Sequence, residues 1–205
     1  RSRGSYTTRS LALPALLALP APAQREFGMV LGPSCSQSDV YVTCGSPMLD
    51  AALNGKDSLV FAYGANGSGK THSLASDDGL INPMVGHLFR SIAEDASAAL
   101  FRVSVSYVQV YNERVYDLLH PSSTDKALTL REGKKDGGVY LEGASDQRVA
   151  TAGELLELLA FGRRRLHFAE TRMNRHSSRS HAVCILTVRR TVGATPAPDA
   201  ASEEP

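Results

Sequence analysis

A chain of 205 residues with 42% hydrophobic content is long enough to bury the core of one domain. Its formal net charge of +1 gives no global electrostatic reason to expect nucleic acid or a membrane surface as a partner. No run of about 18 apolar residues occurs, so no membrane span is expected, and neither the cysteines (Cys35, Cys44, Cys184) nor His176 and His181 have metal-site spacing.

Residues 1–26 open with Arg1, Arg3 and Arg9 and continue as a Leu/Ala/Pro-rich run in which Leu-Ala-Leu-Pro occurs twice. The composition imitates a targeting signal, but prolines interrupt the apolar run, and a disordered leader outside the fold is expected. One domain is expected over 27–192, followed by a Pro/Ala/Glu-rich disordered tail over 193–205. Ser38–Asn54 reads as a helix with Ser38 as cap, an apolar stripe through Val40, Tyr41, Cys44, Met48, Leu49 and Leu53, a kink at Pro47 and a stop at Gly55.

Ser58–Tyr63 reads as a buried strand, and it feeds directly into Gly64-Ala-Asn-Gly-Ser-Gly-Lys-Thr71. Strand, then G-x-x-x-x-G-K-T, is the context that a phosphate-binding loop requires. Gly64, Gly67 and Gly69 free the backbone to turn its amides inward around phosphate oxygens. Ala65, Asn66 and Ser68 supply further amides, Lys70 a point charge for the outer phosphates, and Thr71 a hydroxyl for Mg²⁺. A helix follows from Lys70, is interrupted at Ser76–Gly79, and resumes at about Pro83.

Phe101–Tyr111 alternates apolar and polar residues and reads as a strand, followed by a short amphipathic segment, Glu113–Leu119. Leu128–Arg131 and Val139–Leu141, around a turn containing Lys134 and Lys135, read as a hairpin. Thr151-Ala-Gly-Glu154 is a capping box in which Glu154 is expected to reach back to the Thr151 amide. Its helix buries Leu155, Leu156, Leu158 and Leu159, with Arg163–Arg165 at its C-terminal, solvated end. A polar stretch, Asn174–His181, precedes an apolar run, Ala182–Val188, that reads as a buried strand with Cys184 in the core.

Three blocks now stand in order: Phe61–His72, Ser106–Leu119 (SYVQVYNERVYDLL) and Asn174-Arg-His-Ser-Ser-Arg-Ser-His181. Together they resemble the kinesin motor domain. The resemblance implies a partial P-loop NTPase: an α/β layered fold with a central mixed, largely parallel sheet flanked by helices. It makes Ser106–Leu119 a strand-and-helix signature and Asn174–His181 the first switch, which senses the γ-phosphate. It implies ATP and Mg²⁺ as ligands, held by Gly64, Ala65, Asn66, Gly67, Ser68, Gly69, Lys70, Thr71 and His72, with the His72 ring against adenine. Thr71 and Ser178 would ligate the metal, Asn174 and Ser177 would order nucleotide and water, and Arg179 would pair with a glutamate of a second switch.

As partner the resemblance implies microtubules, with a secondary contact at Arg131, Lys134 and Lys135. Self-association through other segments, no nucleic acid, and a cytoplasmic, cytoskeletal location also follow. The match covers about Phe27–Arg190, roughly the first half of such a domain. The adenine-covering Arg-x-Arg-Pro segment, the second switch and the main microtubule-binding helix find no counterpart here. Gln109 stands where an acidic residue is usual, and Ile81-Asn-Pro83 replaces Ile-Pro-Arg; both are read as surface variation.

Two functions are therefore weighed, a microtubule-motor ATPase and a non-catalytic kinesin-like fragment that binds nucleotide or a partner. The chain by itself is expected to lack microtubule-stimulated turnover. A nucleotide kinase or GTPase is disfavoured by the Asn174–His181 block and by the lack of an Asn/Thr-Lys-x-Asp segment.

Overall fold

The computed structural model describes residues 27–97, 99–120, 126–133, 138–172 and 180–192. The leader, the tail, Lys134, Lys135 and Asn174–Arg179 lie outside the described residues. The first helical unit begins earlier than expected. Ser36, not Ser38, caps it, through a capping box closed by Asp39. The unit comprises α1 (Gln37–Val40), a π-turn (Tyr41–Gly45) and α2 (Ser46–Leu53). Pro47 explains the π-turn. It has no amide to give to the ladder, and just before it the Ser46 amide reaches the Tyr41 carbonyl, five residues back. Gly55 at φ +79° ends the unit as expected.

Helix α3 (Lys70–Ala75) follows the phosphate loop, and α4 (Ile81–Glu94) follows the Ser76–Leu80 interruption. Strand β1 (Leu100–Tyr111) turns through Asn112 and Glu113, at φ 49° and 62°, into β2 (Arg114–Asp117). Two consecutive positive φ values make a tight hairpin turn. The segment after β1 is thus a strand, and the helical half of the expected signature is replaced by a hairpin. Strands β3 (Thr129–Glu132) and β4 (Val139–Glu142) form the expected hairpin, with Leu130 opposite Leu141. Strand β5 (Gln147–Val149), α5 (Ala152–Arg172) and β6 (Ser180–Thr191) are the last elements among the described residues.

Strand β1 organises the main sheet. Along one edge it pairs with β6 over its whole length. Along the other it pairs with β2 near its end and with β5 near its start. Every one of these pairings is antiparallel, and so is β3 with β4. The α/β class holds, but the described ladders are not the largely parallel sheet expected. The reason lies in Ser58–Tyr63, the strand that should lead into the phosphate loop. It joins no ladder among the described residues, and Leu59, Phe61 and Tyr63 are exposed.

Val103, Val105 and Tyr107 of β1 pack against Val85 and Leu88 of α4, Leu155 and Leu159 of α5, and Leu49 of α2. Each fully buried aliphatic side chain there contributes about 1.5–3 kcal/mol. Gly162 lies against the Tyr107 ring, where a Cβ would collide with it. Glycine thus lets α5 approach the sheet closely. The Thr151 hydroxyl accepts from the Glu154 amide as expected, but the Glu154 carboxylate takes the Ala150 amide (2.7 Å) instead of that of Thr151.

Candidate functional site

The phosphate-loop residues form one continuous feature. Gly67 and Gly69 adopt φ +76° and +90°, and the Ser68 amide donates to the Ala65 carbonyl (3.2 Å). A Cβ on Gly64 would meet the Ser68 hydroxyl, which would have to rotate away. Gly69 then enters α3, its carbonyl accepting from the Ser73 amide (2.9 Å). Lys70 folds back across the loop, with Nζ donating to the carbonyls of Gly64 (2.9 Å) and Ala65 (2.7 Å). An ammonium has three N–H donors, so one remains for an anion in the loop. Thr71 is exposed beside it. The loop fits a polyphosphate, since its conformation depends on glycine and its charge is lysine.

Behind α3 the chain is pinned by polar contacts. The Ser76 hydroxyl lies 2.6 Å from the His72 carbonyl oxygen and 2.7 Å from Asp78, either of which can take its single proton. That hydroxyl and the local backbone hold the Asp78 carboxyl below its ordinary pKa. Gly79 is packed so tightly that a Cβ would lie under 3 Å from the Leu74–Ala75 backbone. Arg163 donates to the Ala75 carbonyl at the C-terminal end of α3, where a cation suits the helix dipole. Arg165 reaches the carbonyl of His120. The triplet Arg163–Arg165 therefore lies within α5, which runs on to Arg172, and two of its members tie elements together.

Asn174, Ser177, Ser178 and Arg179, expected to form a first switch, lie outside the described residues, so only Ser180 and His181 of that block, at the start of β6, are placed. There Gln109 is informative. It is buried, and it donates to the Ser180 hydroxyl (2.8 Å), a diagonal neighbour across the β1–β6 ladder. It is not surface variation. It anchors Ser180, the penultimate residue of the Asn174–His181 block.

Asp117 is the second polar group that the sequence reading missed. Burial alone would raise its pKa, but the amides of Ser145, Leu119 and His120 outweigh that and hold it below the ordinary carboxylate value. Its signal was legible as an aspartate two residues before an amide it can cap. Gln37 is the third; its side chain meets His72. On the hairpin, Arg131 pairs with Glu142 (3.0 Å), both exposed.

Cys184 is not a core residue. It is exposed on β6, and desolvation by the surrounding protein pushes its thiol up to about 11. All three cysteines are free. Among the described residues no helix is long and apolar enough to cross a membrane, and no His/Cys/Asp/Glu group is arranged to hold a metal.

Comparison with known proteins places these features in context. The family model for the kinesin motor domain matches residues 20–202. The chain is 37% identical over 171 residues to kinesin-like protein KIF27 of Homo sapiens, covering 79% of this chain and 12% of that protein. It is 39% identical over 167 residues to kinesin-like protein KIN-8B of Arabidopsis thaliana, covering 80% and 20%. To the kinesin heavy chain of Neurospora crassa it is 36% identical over 169 residues, covering 79% and 18%. Among solved structures it is similar to a fast kinesin, with a TM-score of 0.75 and 36% identity over 81% of this chain and 48% of that one. The chain thus spans at most a fifth of these curated relatives and about half of the solved chain.

Proposed function

From the premise that this chain belongs to the kinesin motor family, we propose that it forms the nucleotide-binding part of a microtubule motor ATPase. One observation carries the reading: Lys70 held across a glycine-dependent loop that opens directly into α3. Gly64–Thr71 supply backbone amides and one ammonium for the phosphates of ATP. Mg²⁺, held by the hydroxyls of Thr71 and Ser178, would neutralise phosphate charge. Asn174 and Ser177 would order nucleotide and water, and Arg179 would pair with an acidic residue of a second switch. His72 offers its exposed ring to the adenine. In the whole protein, ordering and release of the switch segment would be transmitted to a track-binding face. Microtubules as partner and a cytoskeletal location belong to this proposal.

Lysine is the residue whose removal separates site from fold. Lys70→Ala is expected to lower Mg-ATP affinity at least about tenfold, the equivalent of 1.4 kcal/mol, with no change in melting temperature. Unaltered affinity, read by displacement of a fluorescent nucleotide, would overturn the assignment.

A further inference from the structure

Outside the phosphate loop, one long-range contact fixes a side chain of α3. Gln37, the first residue of α1, places Nε2 2.8 Å from Nδ1 of His72 and 3.3 Å from the His72 carbonyl oxygen. A carbonyl oxygen only accepts, so the end of the amide that faces it is the nitrogen. The same nitrogen must donate to Nδ1, which therefore carries a lone pair. His72 is thereby set as the neutral tautomer with its proton on Nε2. The other end of the amide, Oε1, is buried and finds no hydrogen-bond partner among the described residues.

The support for Gln37 is itself rigid. The capping box of Ser36 and Asp39 fixes the turn on which it stands, and it holds the Asp39 carboxyl below its ordinary pKa. One turn on, the Tyr41 hydroxyl lies 2.8 Å from Nδ1 of His87, whose Nε2 is 3.6 Å from Asp50. The first helical unit is therefore tied to α3 by one imidazole and to α4 by another.

We propose that Gln37 is a positioning residue for the nucleotide base. By locking the tautomer and ring plane of His72, it presents a fixed aromatic face, with an Nε2–H donor at its edge, to a purine. This rests on the nucleotide-site reading above. A pinned ring gives up its rotational freedom before the ligand arrives, so stacking does not have to supply that ordering.

The test titrates the full chain, Gln37→Leu, His72→Ala and the double variant with Mg-ATP and with inorganic tripolyphosphate, which has no base. Gln37→Leu should weaken Mg-ATP roughly fivefold, at the low end of what one stacked base contributes, and leave tripolyphosphate unchanged. In the His72→Ala background it should have no further effect. Nitrogen-resolved NMR of the imidazole should show Nε2–H in the wild type and a tautomer mixture in Gln37→Leu. Equal losses for both ligands, additivity with His72→Ala, or no loss at all would overturn the proposal. So would an Nδ1–H tautomer in the wild type, which decides the matter even if the variants fail to fold. If the wild-type chain bound neither ligand, the nucleotide-site reading would itself fall, and this inference with it.

Discussion

Strands β1 and β6 are each twelve residues long and pair with each other along their full length, yet they lie in opposite surroundings. Val103, Val105 and Val108 of β1 are 5% exposed or less, whereas Val183, Ile185 and Leu186 of β6 are 38–45% exposed. The backbone ladder is the same for both. What differs is cover: β1 has strands on both edges and α4 and α5 across one face, while β6 has β1 as its one strand neighbour among the described residues. Hydrophobic composition produced both strands, and only the neighbours decided which one became core.

Truncations on the two strands' surroundings give the sharpest contrast. Leu155→Ala, at a side chain 1% exposed against β1, should cost about 2–5 kcal/mol through lost burial and the cavity left behind. Ile185→Ala on β6 should cost less than about 1 kcal/mol in the same chain, because little of its surface is withdrawn from water. Chemical denaturation of both variants checks this. Equal losses would mean that β6 is covered as thoroughly as β1 in solution, and the comparison would fail.

Asp117 lies at the end of β2, on the covered side of the contrast, and its effect should be smaller. Asp117→Ala leaves the amides of Leu119, His120 and Ser145 without their acceptor, at a cost of about 1–3 kcal/mol. Its pH dependence follows from its lowered pKa. The folded chain binds fewer protons than the unfolded chain, so this contribution is complete above the ordinary aspartate value of about 4. It is lost as pH falls from there through the folded value. Denaturation midpoints measured between neutral pH and pH 3 should fall more steeply for the wild type than for Asp117→Asn, and parallel curves would remove Asp117 from that role.

The same contrast explains what could be read from the sequence. Local chemistry was legible: the phosphate loop by its glycines and Lys70, the β3–β4 hairpin, Gly55 as a helix stop, and the Thr151 cap. Each depends on residues within a few positions of one another. What escaped depends on distant partners. Ser58–Tyr63 has the apolar composition of a strand, but a strand also requires a neighbour to pair with. Ala182–Val188 has the composition of a buried strand, but burial requires cover. Gln37 and Gln109 are ordinary polar residues until the fold brings them to His72, 35 positions away, and to Ser180, 71 positions away. Arg163 looked like a solvated helix end because its partner, the Ala75 carbonyl, is 88 positions distant.

The weakest expected effect lies where side chains meet only water and each other. Arg131 and Glu142 form a close ion pair on the two-stranded β3–β4 sheet, but both are about half exposed. Solvent screens their attraction, and two flexible side chains lose freedom to make it, so Arg131→Ala should change stability by no more than about 0.5 kcal/mol. If the hairpin contacts tubulin in the whole protein, the same substitution should reduce microtubule affinity by more than it reduces stability, and raised salt should diminish the difference. Cosedimentation at two ionic strengths, beside a melting curve, separates the two. A large loss of stability without a loss of affinity would mean that Arg131 belongs to the fold and that the hairpin is not a contact surface.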